Sequence, residues 1–246
     1  RQRQMCIRDR TEVEEQVDLM YSLIHQQVDA IVLVPIDSKA LVQPVVEAVR
    51  KGVPIINIDI RLNTQLLEQA GVEVAFVGPD NFAAAYEVGK LLDKKLRNED
   101  KVAIIEGLAA ADNAQQRKRG FIKAIEEKGL RLVASEPADW ETEKAAEVFQ
   151  AMWMRYPDLK AVYCSNDAMA LGVLQQMQEK NCYLPVVGFD NDAVMKEFLS
   201  TGKLVATADI FSSQMAVRGI EFALDVLEGK IENRGVHSTA YEIIKQ

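Results

Sequence analysis

The sequence has 246 residues, with 29 lysines and arginines against 37 aspartates and glutamates, which gives a formal net charge of −8. Such an acidic chain is a poor match for a phosphate backbone, so the composition argues against a nucleic-acid partner. No apolar run reaches the length of a membrane-spanning helix. Three cysteines without a C-x-x-C pair, together with two isolated histidines, predict no metal site.

Residues 1–10 differ from the rest of the chain. They are strongly basic, they lack a helical or strand period, and they lack the long apolar core of a signal peptide. We therefore expect residues 1–10 to be a non-native leader and the natural start of the protein to be missing.

From residue 11 onward, helical patterns alternate with short apolar runs. Continuous apolar runs are typical of strands that are buried on both faces. The predicted helices cover residues 11–24, 38–50, 80–96, 114–128, 141–155, 166–179, 193–200 and 212–227, and residues 109–113 are predicted as a small polar loop. The predicted strands cover residues 28–35, 53–59, 72–78, 101–106, 130–135, 161–164, 185–189, 204–209 and 241–244. This alternation predicts an α/β fold with parallel sheets and right-handed crossovers.

Polar side chains collect where the predicted strands end. Because the carboxyl ends of parallel strands lie at one edge of a sheet, these side chains are expected to converge. Asp37 with Ser38, Asp80 and Asp167 fit the pattern of helix N-caps. Asp59 and Asp190 end apolar strands without an evident capping role, so they are better candidates for contact with a ligand. Further polar residues at strand ends are Asn166, Asn191 and Asp209.

Two other residues suggest what that ligand is. Arg117 lies near the start of a predicted helix on the side that faces the strand ends, although spacing alone favours a solvated arginine. Trp140 lies in a turn rather than on a helical stripe, with core packing as the alternative. An aromatic ring can stack on the C–H groups of a sugar while carboxylate, amide and guanidinium groups bond its hydroxyls.

Enzymatic functions find less support. Asp59 and Asp190 resemble a general acid and base for glycoside hydrolysis, but no apolar environment is evident that would raise either pKa. The chain has no G-x-G-x-x-G motif, no P-loop and no G-x-S-x-G turn. Cys164 and Cys182 either form a disulfide or stay as free thiols, and the apolar strand around Cys164 favours free thiols.

Several motifs together resemble the periplasmic sugar-binding proteins of ABC importers, of the ribose-binding type. The resemblance covers residues 11–246 and rests on the order and spacing of four segments. These are Val53-Pro54-Ile55-Ile56-Asn57-Ile58-Asp59, Arg117-x-x-Gly120-Phe121, Ser165-Asn166-Asp167-x-Met169-Ala170-Leu171-Gly172 and Val187-Gly188-Phe189-Asp190.

The resemblance implies the periplasmic binding protein-like I fold, with two Rossmann-like lobes, a three-strand hinge and closure over one sugar. It implies a first lobe of residues 11–79 plus 211–239, incomplete at its start, and a second lobe of residues 80–210 plus 240–246. Its sugar-contacting positions correspond to Asp59, Arg117, Trp140, Asn166, Phe189 and Asp190. A glutamine of the family corresponds to Ile210, and Asp209, one residue earlier, is expected to take its place.

The same resemblance implies a non-enzymatic function without a cofactor. The partners would be a monosaccharide or polyol and the permease subunits of an ABC transporter, and the protein would be a monomer. It would work in the periplasm or outside the cell on a membrane anchor. A sugar-responsive regulator of the lactose-repressor type is the alternative, since it shares this core, and a glycosidase is a more distant one.

Overall fold

The computed structural model describes residues 13–245, so the predicted leader at residues 1–10 lies outside the described part. The helices, in chain order, are α1 (Val13–His25), α2 (Val42–Arg50), α3 (Thr64–Gln69), α4 (Asn81–Asp93), α5 (Asp112–Lys128), α6 (Thr142–Arg155), α7 (Asp167–Glu179), α8 (Lys196–Ser200, preceded by a 3-10 turn at Ala193–Met195) and α9 (Ser212–Leu227). The strands are β1 (Ile31–Leu33), β2 (Ile55–Ile58), β3 (Ala75–Pro79), β4 (Lys101–Glu106), β5 (Arg131–Pro137), β6 (Ala161–Cys164), β7 (Val186–Val187), β8 (Leu204–Asp209), β9 (Val236–Thr239) and β10 (Glu242–Lys245).

The chain forms two compact units. The first unit contains the described residues up to Pro79 together with Ala110–Asn113 and Phe211–Thr239. The second unit contains Asp80–Ala109, Ala114–Ile210 and the described residues from Ala240 onward. The short segment Ala110–Asn113, which the predicted lobe boundaries assign to the second lobe, therefore belongs with the first unit.

The first unit is built on a parallel sheet in the order β1-β2-β3-β9. Strands β1, β2 and β3 are short apolar runs, and all four residues of β2 are buried. The amphipathic helices α1 and α2 contribute buried apolar side chains to the core of this unit. The most completely buried of these are Met20, Val45 and Ala48, which belong to one cluster with Leu33 and Ile55 of the sheet.

The second unit is built on a six-stranded sheet in the order β10-β8-β7-β6-β4-β5. Its pairs are parallel except that of β10 with β8, which is antiparallel. Helices α6 and α7 supply Phe149, Met169 and Val173 to a core that also contains Val162 and Cys164 of β6. The predicted fold class, an α/β protein with parallel sheets flanked by helices, is confirmed.

Two elements were not predicted from the sequence. Helix α3 begins after Asn63, whose side-chain oxygen accepts a hydrogen bond from Leu66 N. Strand β9 is the polar run Val-His-Ser-Thr at the edge of the first sheet, and only Thr239 in it is buried. An exposed edge strand does not need the apolar composition by which buried strands are recognised.

Of the predicted helix caps, that of Asp80 is confirmed, because its carboxylate accepts a bond from Ala83 N at 2.9 Å. The prediction for Asp37 with Ser38 was wrong. The Asp37 carboxylate accepts bonds from Lys39 N and Ala40 N and so closes a local turn, and α2 begins only at Val42.

None of the helices within residues 13–245 has the length and apolar character needed to cross a membrane.

Candidate functional site

In the second unit, Arg117 of α5 is the centre of a network of hydrogen bonds. Its side chain is buried, with only 3% of the residue exposed. The guanidinium donates from Nε to Asn81 Oδ1 at 2.9 Å and from Nη1 to the carbonyl oxygen of Ser165 at 2.8 Å. Nη1 also lies 3.3 Å from Asp190 Oδ1. The solvated arginine favoured by spacing alone is therefore wrong, and the guanidinium is held in one orientation.

Two aromatic rings surround this guanidinium. The Phe189 ring lies 3.7 Å from Arg117 Cζ, and the Trp140 ring lies 5.6 Å from it. Cationic guanidinium groups are attracted to the faces of such rings. Trp140 has a left-handed backbone, with a φ of 71°, and its ring lies against Gly107, where a Cβ atom would come within 2.1 Å of the ring. The two predicted aromatic residues are thus brought together around Arg117.

Asn166 caps helix α7. Its backbone is extended, and its side-chain oxygen accepts a bond from Met169 N at 2.9 Å. The prediction that Asp167 provides this cap was wrong, because the Asp167 carboxylate points inward and accepts bonds from Thr207 Oγ1 and Asp192 N. Since Oδ1 of Asn166 is engaged in the cap, the group that Asn166 offers to a ligand is its amide nitrogen, a donor.

The strand ends of β7 and β8 carry the acidic part of the site. Asp190 lies beside Arg117 and has a left-handed backbone, with a φ of 104°. Asp209 Oδ2 accepts a bond from Asn191 Nδ2 at 2.9 Å. Asp209 therefore supports Asn191, and contact of Asp209 with a ligand stays a prediction.

Burial shifts the ionisation of two further carboxyl groups here. Burial raises the pKa of Asp167 to about 7, and the negative charge of Asp190 adds to the shift, against the opposing effect of the bond from Asp192 N. Burial also raises the pKa of Asp192. A charged Asp167 is therefore unfavourable at this position near neutral pH.

The first unit contributes Asp59 at the end of β2. Its backbone is left-handed, with a φ of 60°, and its N–H donates to Val77 O at 3.3 Å. Oδ1 of Asp59 is buried and has no hydrogen-bond partner within residues 13–245. Arg61, two residues later, lies with its guanidinium over the Phe76 ring at 5.5 Å.

Asn113 is a residue of the same unit that the sequence reasoning missed. The segment Ala110–Asn113, which ends in the first turn of α5, is anchored to Ser38, whose N–H donates to Ala110 O and whose hydroxyl accepts from Asp112 N. Asn113 is 3% exposed, and its Oδ1 has no hydrogen-bond partner in the described part of the chain. The available signal was weak: an amide in the small polar loop that follows a strand end.

The cysteine alternatives are settled by the structure. Cys164 and Cys182 are both free, Cys164 being buried and Cys182 half-buried. Burial raises the pKa of the Cys164 thiol well above its usual range, so it behaves as a small apolar side chain. Among residues 13–245, no cluster of three or more histidine, cysteine, aspartate or glutamate side chains is arranged to hold a metal ion.

Comparisons with known proteins identify the family of the chain. The sequence model of the family described as "Periplasmic binding protein domain" matches residues 5–231. The D-ribose/D-allose-binding protein of Pseudomonas aeruginosa is 40% identical over 243 residues, which are 97% of this chain and 76% of that relative. The structure of an ABC transporter solute-binding protein from Burkholderia multivorans superimposes with a TM-score of 0.91, at 39% identity over 97% of this chain and 85% of that one.

A periplasmic solute-binding protein from Actinobacillus succinogenes, crystallised with bound D-allose, superimposes with a TM-score of 0.88. It is 32% identical, and the match covers 95% of this chain and 84% of that one. The family match and the identity to the Pseudomonas relative both extend over nearly the whole sequence. This chain belongs to the periplasmic binding protein family.

Proposed function

We propose that this chain is the substrate-binding protein of an ABC importer and that its ligand is a monosaccharide or a related polyol. The observation that carries the proposal is the buried Arg117, which Asn81 and the Ser165 carbonyl hold in place beside Asp190. A guanidinium fixed by its own hydrogen bonds meets a ligand without a large loss of side-chain freedom. Nη2 is the nitrogen that none of these bonds uses, and it is the donor we assign to the sugar.

The other groups complement a polyhydroxylated ligand. The amide nitrogen of Asn166 is a donor, because its oxygen is engaged in the helix cap. Asp190 is an acceptor, as are the buried oxygens of Asp59 and Asn113, which have no hydrogen-bond partner within residues 13–245. A buried acceptor without a donor is unfavourable by about 1–3 kcal/mol, and sugar hydroxyls supply such donors.

The aromatic residues supply the apolar part of the proposed contact. Trp140 is held against Gly107 and near Arg117, and its ring is suited to stack on C–H groups of a pyranose or furanose. Phe189 is fully buried, and the Arg117 guanidinium lies over its ring at 3.7 Å. We therefore assign the direct stacking contact with the sugar to Trp140. We assign to Phe189 the role of supporting the Arg117 guanidinium.

The relatives narrow the ligand class. The Pseudomonas relative is named for D-ribose and D-allose, and the Actinobacillus structure contains D-allose. Aldoses with these configurations are accordingly the first candidates. These comparisons favour a transport function over the repressor-type regulator and the glycosidase, and on this proposal the sugar leaves the protein chemically unchanged.

On the same proposal, the protein works as a monomer and delivers its sugar to the permease subunits of the transporter. It does so in the periplasm or, as a membrane-anchored form, outside the cell. The Actinobacillus relative supports this location, because it is a periplasmic solute-binding protein of an ABC transporter.

The test is a thermal-shift and calorimetric panel of aldoses and polyols, followed by Asp190→Ala. Loss of the charged acceptor is expected to weaken binding of the best sugar by about ten- to a hundredfold, which corresponds to roughly 1.5–3 kcal/mol. Asp158→Ala is the matched control, since Asp158 is an exposed aspartate paired with Lys101 at 2.7 Å. Equal affinities for the parent and Asp190→Ala would contradict the site assignment.

A further inference from the structure

Asp167 is a fully buried carboxylate whose two oxygens are both engaged. Oδ1 accepts a bond from Thr207 Oγ1 of β8 at 2.9 Å, and Oδ2 accepts a bond from Asp192 N at 2.9 Å. The backbone N–H of Asp167 donates to Phe189 O at 2.7 Å. One residue at the start of α7 therefore bonds both ends of the segment from Phe189 to Asp192.

That segment has a conformation which its surroundings must impose. Asp190 and Asn191 both have left-handed backbones, with φ values of 104° and 59°. Residues other than glycine rarely adopt such conformations, and each is unfavourable by about 1–3 kcal/mol unless neighbouring contacts hold it. The holding contacts are Asp190 N to Ala208 O at 2.7 Å and Asn191 N to Thr207 Oγ1 at 3.3 Å.

Gly188 makes room for this arrangement. A Cβ atom at Gly188 would lie 2.0 Å from Asp167 Oδ1, so the carboxylate occupies the space that a side chain would otherwise fill. A residue with a side chain at position 188 would therefore clash with the Asp167 carboxylate, so this close approach requires glycine there.

The electrostatic surroundings do not favour a negative charge at Asp167. The titratable groups that act on it are Asp190 and Asp192 on the segment itself and the thiol of Cys164 at the end of β6. The cation of this region, Arg117, lies beside Asp190. Burial raises the pKa of Asp167 to about 7. A neutral side chain at position 167 would be more favourable for folding. The presence of a carboxylate there is therefore not explained by stability.

We propose that Asp167 and Thr207 are positioning residues, which hold the segment Phe189–Asp192 in the shape that presents Asp190 to a sugar. The ionised carboxylate can accept both bonds at once, from the Thr207 hydroxyl and from Asp192 N. A proton on Asp167 turns one acceptor into a donor, and the Thr207 hydroxyl then has to give up its present bond. The inference rests on the proposed function, because it concerns the same site.

The experiment measures the sugar affinity and the thermal stability of the whole protein for the wild type and four variants. The measurements are made at about pH 8.5 and about pH 5.5, above and below the pKa of Asp167. Asp167→Asn imitates the protonated carboxyl group. Thr207→Val removes the hydroxyl with little change in shape, and Thr207→Ser restores it. Thr239→Val is the matched control, since Thr239 is a buried threonine in strand β9 of the first unit.

Asp167→Asn and Thr207→Val are each expected to weaken sugar binding at the higher pH by about fivefold or more, the equivalent of one hydrogen bond. Thr207→Ser and Thr239→Val should stay within about twofold of the wild type. The wild type should bind more weakly at the lower pH, and Asp167→Asn should lose this dependence. Asp167→Asn should also melt at a higher temperature than the wild type at the higher pH, although it binds less tightly.

If Asp167 had a purely structural role, its substitution would not weaken sugar binding and raise the melting temperature at the same time. An affinity of Asp167→Asn equal to that of the wild type at both pH values would overturn the proposal. If the wild type binds no sugar, the proposed function fails, and amide hydrogen exchange without sugar then decides on the positioning role. Thr207→Val should speed exchange at Asn191 and Asp192, and unchanged exchange there would overturn it.

Discussion

Substitution of Arg117 by lysine is the most direct perturbation of the second unit's network. Lysine keeps the positive charge near Phe189 but loses the planar fork of donors. The guanidinium bonds to Asn81 Oδ1 and to the Ser165 carbonyl, at 2.9 and 2.8 Å, are then lost or replaced by one. Bonds from a charged donor contribute roughly 1.5–3 kcal/mol each, so Arg117→Lys is expected to lower the free energy of unfolding of this unit by about 2–4 kcal/mol.

The assay is equilibrium unfolding in urea followed by tryptophan fluorescence. The chain has two tryptophans, Trp140 and Trp153, and both belong to the second unit, so the signal reports on that unit. Arg119→Lys is the matched control on the same helix, because Arg119 is exposed and its bond is to the Gln115 carbonyl. The control is expected to change the free energy by less than about 0.5 kcal/mol. A similarly small change in the free energy of unfolding for Arg117→Lys would contradict the stabilising role of the Arg117 hydrogen bonds.

Two further predictions concern the start of α7. The folded-state pKa of Asp167 is raised to about 7 from about 3.9 in the unfolded chain, so its contribution to stability is fully present below about pH 4 and is lost as the pH rises to about 7. The free energy of unfolding of Asp167→Asn relative to the wild type should therefore rise by up to about 4 kcal/mol over this interval, and a pH-independent difference in urea unfolding would contradict the raised pKa. Asn166→Asp should keep the helix cap and its stability but lose at least about tenfold in sugar affinity, because it removes the donors, whereas Asn166→Ala should also lower the stability by about 1 kcal/mol. Calorimetric titration and thermal melting separate these two effects, and parent-like affinity of Asn166→Asp would remove Asn166 from the proposed site.

The sequence predicts the elements whose composition follows directly from burial. Strands β4, β6 and β8 are apolar runs in a sheet between helices, and their bounds agree with the prediction. Helix α9 has a long apolar stripe and is also predicted with its bounds. Strand β9 escapes prediction because it is polar and lies at an edge, and α3 escapes because six residues are too few to show a helical period.

The candidate site is predictable only in part for a different reason. Asp59 and Asp190 stand out because carboxylates that end apolar strands without a capping role are conspicuous, whereas the spacing around Arg117 favours a solvated side chain. Which of two adjacent polar residues caps a helix depends on side-chain direction, which is how Asn166 rather than Asp167 caps α7. Asn113 has no comparable sequence signal, since its burial results from contacts of the segment Ala110–Asn113 with residues far away in the chain.

The central claim is that the chain binds a monosaccharide through the residues around Arg117. The most direct measurement is a calorimetric titration of the protein with D-ribose and D-allose, repeated with Arg117→Lys and with Arg119→Lys as the control. We expect a 1:1 complex of the wild type and the control with at least one of these sugars, at a Kd below about 10 μM, or roughly −7 kcal/mol. Binding by Arg117→Lys should be at least about tenfold weaker. Binding of neither sugar by the wild type, or equal binding by all three proteins, would contradict the proposed sugar site around Arg117.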